Sequence, residues 1–81
     1  MQRKDGVRLP PTKVVVMDRQ KMAEIRISLG LSQGALAREA GISRSYLSEI
    51  ESGDKTPRMA VARSLAMALG VELKTLTEHS T

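Results

Sequence analysis

Gln33–Ser52 (QGALAREAGISRSYLSEIES) constrains this chain more than any other stretch. Read at 3.6 residues per turn, it makes two short helices joined by a tight turn. Leu36, Ala37 and Ala40 share one face of the first, and Leu47 and Ile50 one face of the second. Ile42 plugs the space between them. Gly41 falls where the first helix must stop and the chain must reverse. That position favours a left-handed backbone, which glycine adopts without a Cβ clash. Ser43 then offers a hydroxyl to the first turn of the second helix. Ala37 is small where two steeply crossed helices would touch.

Two helices in this arrangement form a helix-turn-helix, whose second helix enters the DNA major groove. Caps and stops extend the reading along the chain. Asp18 caps a first helix expected over Arg19–Leu29, with Met22, Ile25 and Leu29 on one face and Gly30 past its end. Ser32 caps the second, Gln33–Ala40. Ser43 caps the third, Arg44–Ser52, and Gly53 closes it. Thr56 reads as the cap of a fourth helix, with Pro57 at its first position, where a missing N–H costs nothing. Met59, Ala62, Leu65, Ala66 and Leu69 line that helix's buried face, and Gly70 stops it. A fifth, short helix follows over Leu73–Glu78. Gly34 departs from the pattern by weakening the second helix's first turn. Either it lets backbone approach a phosphate, or it is a tolerated flaw. The expected fold is all-α: five helices over residues 18–81, preceded by an N-terminal arm over residues 1–17.

The fragments Leu31-Ser32-Gln33, Leu36-Ala37, Ala40-Gly41, Ser43, Ser48, Ile50-Glu51-x-Gly53 and Pro57 follow in order along the chain. Leu65-Ala66, Ala68-Leu69-Gly70-Val71 and Leu76 complete the series. In this order and spacing, from about Met22 to Leu76, the chain resembles the Cro/cI-type (XRE) helix-turn-helix proteins. The resemblance implies a compact, lambda-repressor-like domain with its third helix against base edges.

On that helix Leu47 and Ile50 are committed to the core, which leaves Arg44, Ser45, Ser48, Glu49 and Ser52 outward. The resemblance implies that Arg44, Ser45 and Glu49 read bases. A guanidinium bonds guanine O6 and N7 in bidentate fashion, and a carboxylate accepts from a cytosine amino group. Glu49 has a second reading, a salt bridge to Arg44 or to a neighbouring helix. Gln33 begins the second helix, where N–H groups already favour phosphate. The resemblance implies that its side chain touches the DNA backbone. Ser43, Ser48, Lys55 and Arg58 are the other expected backbone contacts. Tyr46 either hydrogen-bonds a phosphate or packs its ring at the edge of the second helix. The resemblance also pairs Arg26 with Glu51, a structural ion pair fixing the third helix against the first.

Charge is unevenly placed. Residues 1–21 hold six Lys/Arg and two acids, whereas residues 22–81 hold seven of each. The basic surplus is therefore an N-terminal property. It is either a solubilising tail or a cationic arm in which Arg3, Lys4 and Arg8 reach phosphates. Thr12–Met17 (TKVVVM) has strand character. Two readings stand: an extended segment laid over the helical core, or an antiparallel ribbon with a second copy.

Composition excludes several function classes. There is no cysteine, hence no disulfide and no thiolate metal site. His79 is the only histidine, and Ser32 and Ser43 fall at caps. No catalytic constellation, metal cluster or phosphate-binding glycine loop appears, so neither an enzyme nor a cofactor is expected. No apolar run approaches a membrane span of about 18 residues. The N-terminus lacks the apolar core of a signal peptide. The expectation is a cytoplasmic, nucleoid-associated regulator that binds double-stranded DNA as a homodimer on an inverted repeat, commonly as a repressor. The alternative is an antitoxin whose Met1–Met17 segment binds a toxin protein. A third reading makes the chain a fragment of a larger regulator.

Overall fold

Side-chain oxygens start the first three helices. In the computed structural model, which describes residues 16–77, Asp18 accepts from Lys21 N at 3.0 Å and opens α1 (Arg19–Ser28). Ser32 accepts from Ala35 N at 3.0 Å and opens α2 (Gln33–Ala40). Ser43 accepts from Tyr46 N at 3.0 Å and opens α3 (Arg44–Ser52). Each bond satisfies a backbone donor that has no partner inside its helix. Then follow α4 (Met59–Leu69) and α5 (Leu73–Leu76). Gly30, Gly41, Gly53 and Gly70 stand at the predicted stops with φ between 73° and 93°.

The core is one aliphatic cluster: Met17, Met22, Leu36, Ala37, Leu47, Ile50, Ala62, Leu65, Ala66, Leu69 and Leu76. α2 lies between α3 and α4, α5 packs on α4, and α1 closes the assembly against α3 and α5. Burying each large aliphatic side chain contributes on the order of 1.5–3 kcal/mol. These contacts hold short helices that would be marginal in isolation.

Three local expectations are corrected. α4 begins at Met59 with Arg58 as its N-cap residue, and no side chain caps it. Thr56 and Pro57 lie outside the helix because Pro57 is fully buried. Seating that ring in the core outweighs its preference for a first helical turn. Leu29, expected on the buried face of α1, is 53% exposed. It is the C-cap residue, with ψ at 0°, so its side chain leaves the helical stripe and Leu31 packs on the core instead. α5 ends at Leu76, because Thr77 is extended and pairs with Met17 in an antiparallel bridge. Asp18 N donates to Leu76 O at 2.7 Å beside it. The end of the valine-rich segment therefore finds a partner within its own chain, and Met17 is buried. Residues 12–15, and Glu78 of the expected fifth helix, lie outside the described residues.

Candidate nucleic-acid interface

α3 divides its residues as its period requires. Leu47 and Ile50 are fully buried, while Arg44, Ser45, Ser48 and Ser52 are exposed. The first two turns therefore present a guanidinium and two hydroxyls on a rigid support. The Arg44 stem lies beside the first turn of α2: a Cβ added at Gly34 would stand 3.6 Å from Arg44 Cδ. That is ordinary contact, so Gly34 is not required for space. Ser43 keeps its hydroxyl proton for another acceptor while its oxygen caps the helix.

Glu49 is half-exposed and pairs with Lys55 at 3.7 Å, in the loop after α3, rather than with Arg44. The loop folds back because Asp54 N and Lys55 N both donate to Glu49 O, at 2.9 and 3.1 Å. A pair this exposed stabilises by at most about 1 kcal/mol. Tyr46 is half-buried against the core, and Arg58 is exposed at the start of α4.

The other end of α3 is locked. Arg26 Nε donates to Glu51 Oε2 at 2.9 Å and Arg26 Nη2 to Glu51 Oε1 at 3.2 Å. Gln33 Nε2 donates to the same Oε1 at 2.9 Å, and Arg26 Nη1 donates to Leu31 O at 2.8 Å. These side chains are 13% and 9% exposed for Arg26 and Glu51. One carboxylate thus ties together α1, α2 and α3 through charge-assisted bonds in a partly desolvated place. Gln33, expected to face DNA alone, is held by Glu51 and keeps one amide hydrogen for another acceptor.

Sequence reasoning missed Arg19. Its guanidinium lies against the turn at Gly53, where an added Cβ would meet Nη1 at 2.5 Å and Cζ at 2.9 Å. The signal was present: Arg19 and Arg26 are seven residues apart, hence two turns apart on one face of α1. Arg3, Lys4 and Arg8 lie outside the described residues. Among the described residues, no group of three His, Cys, Asp or Glu side chains could hold a metal, and no helix is long and apolar enough to cross a membrane.

Residues 22–76 match the model of a helix-turn-helix family, HTH_3. The chain is 34% identical over 62 residues to the immunity repressor protein of Bacillus phage phi105, covering 76% of this chain but only 43% of that repressor. The restriction-modification controller protein C.AhdI from Aeromonas hydrophila superposes with a TM-score of 0.69 at 35% identity, over 70% of this chain and 86% of that one. SinR in complex with DNA superposes with a TM-score of 0.66 at 33% identity, over 70% of this chain and 95% of that one.

Proposed function

Since this chain belongs to the Cro/cI-type helix-turn-helix family whose model its residues 22–76 match, we propose that it is a sequence-specific DNA-binding transcription regulator. It binds an inverted repeat as a dimer, with α3 in the major groove, and acts as a repressor on nucleoid DNA in the cytoplasm. One observation carries this reading: the first two turns of α3 present Arg44, Ser45 and Ser48 outward over a fully buried Leu47 and Ile50. The likeness to a phage repressor and to SinR in its DNA complex supports it. A dimer supplies the contact area that a single small module lacks.

Arg44 reads a guanine, with Ser45 and Glu49 beside it. Glu49 is free to do so once Lys55 turns from it to a phosphate. Gln33, Ser43, Tyr46, Ser48, Lys55 and Arg58 follow the backbone. The Arg26–Glu51 pair holds α3 at the angle this docking needs. The arm residues Arg3, Lys4 and Arg8 add phosphate contacts outside the body.

Selection of binding sites from random duplexes, followed by footprinting, tests the reading. The expected product is a symmetric site with half-sites about 34 Å apart or a multiple of that. Selection without any preferred sequence would sink the regulator, and an asymmetric site would sink the dimer. Deleting residues 1–11 should flatten the salt dependence of binding by about 0.9 log unit for every phosphate the arm had neutralised. An unchanged slope would remove the arm from the interface.

A further inference from the structure

Beyond the last turn of α3 lies a cleft of about 210 Å³, of whose lining only Lys55 has a role above. Met17, Ile50 and Pro57 form its buried apolar floor, with Val16 at its edge. Arg19, Lys55 and Thr56 supply its polar wall. The geometry points to a sugar-phosphate site: a DNA phosphate between Arg19 and Lys55, with its deoxyribose against the exposed Val16 at the edge. This rests on the DNA-binding reading above and adds a contact to it.

Three observations carry the inference. The first is charge. Among the described residues no carboxylate lies within ion-pair distance of Arg19: Glu51 is occupied by Arg26 and Gln33, and Asp18 caps Lys21 N. Among the described residues the one ion pair of Lys55 is its loose, half-exposed pair with Glu49. Two cations thus meet at one cleft without a buried acid to neutralise them.

The second is how Arg19 is held. Its guanidinium lies on the Gly53 turn, at the negative end of α3. A cation there is stabilised by the helix dipole while keeping its full charge for a ligand. The missing side chain at Gly53 is what admits it so close.

The third is reach. At about 1.5 Å per residue, Ser52 stands roughly 12 Å along the axis from Arg44. The major groove is about 12 Å wide. A helix with Arg44 at the base edges therefore has its far end at the groove's rim, where the backbone runs. A backbone strand offers the cleft the matching chemistry, an anion beside an apolar sugar face.

The test uses the full chain, its selected operator and a random-sequence duplex of equal length, titrated across salt. Arg19→Ala should lower the slope of log affinity against log salt by about 0.9 on both duplexes. Melting temperature should fall by a few degrees at most, from the lost contact with the helix end, and the preference for the operator should stay at its wild-type value. Arg19→Lys should restore the slope, because a phosphate needs only the charge. Arg19→Ala combined with Lys55→Ala should lower it by about 1.8. An unchanged slope in Arg19→Ala overturns the site. So does a loss of operator preference that Arg19→Lys fails to restore, since Arg19 would then act only by shaping α3. If the wild type binds both duplexes equally, the regulator reading fails while the slopes still judge the cleft. If it binds neither, both fail.

Discussion

The two ends of the third helix are built to opposite rules. At its start Arg44, Ser45 and Ser48 stand exposed, and among the described residues the only side-chain bond of the first turn is the cap from Ser43. At its end Glu51 accepts from Arg26 and Gln33, Arg19 lies over the Gly53 turn, and the backbone of the next loop folds back onto Glu49 O. A reading surface has to leave its donors and acceptors open to a partner. That openness is compatible with a defined direction only if the helix is fixed elsewhere. Here the fixing is concentrated about two turns away from the reading.

Glu51→Ala should break the contrast most severely. It leaves Arg26 partly buried without its carboxylate and frees Gln33. The cost should be about 3 kcal/mol of stability, a fall in melting temperature on the order of 15 °C for a domain this size. DNA affinity should fall with it. Wild-type melting would mean that the far end of α3 is not held by this network.

Arg44→Ala should show the opposite behaviour. Melting stays at the wild-type value because the side chain is exposed. Binding to the best site weakens by roughly 1–3 kcal/mol, and discrimination relaxes at one base position. An equal loss on random DNA would make Arg44 a phosphate contact and move base reading elsewhere.

Gly53→Ala sharpens the account of the locked end. A non-glycine residue at φ +93° is strained by about 1–2 kcal/mol. The new Cβ would also drive the Arg19 guanidinium off the turn. Chemical denaturation should report a loss of that size. A neutral substitution would show that the turn relaxes without cost and that Arg19 is not seated on it.

The smallest expected change is a gain. Gly34 is helical and open to a Cβ at 3.6 Å from Arg44, so Gly34→Ala should stabilise by roughly 0.5–1 kcal/mol. If it instead lowers affinity for DNA at full stability, backbone at this position approaches a phosphate.

Much of the architecture was legible because its signals are local. α2 and α3 occupy the predicted residues, since cap, periodicity and stop agree at both ends of each. A hydroxyl three residues before a backbone donor, or a glycine past a helix end, acts within one turn of chain. Arg26 and Glu51 had to be matched through the family resemblance, because nothing local announces a partner 25 residues away. Gln33 was assigned to DNA alone, yet its amide also serves Glu51, a residue it meets only after α2 and α3 fold together.

Sequence alone determined the element order, the turn at Gly41, the aliphatic core faces and the outward set on α3, all of which follow from spacing and backbone preference. Tertiary structure alone decided that Pro57 leaves α4 for the core, that Leu31 replaces Leu29 against it, and that Met17 closes on Thr77. It also decided that Arg19 crosses to Gly53. These outcomes depend on which surfaces meet. Burying a ring or an aliphatic side chain, or pairing a backbone donor with a distant carbonyl, outweighs the tenths of a kcal/mol by which neighbouring residues express a local preference.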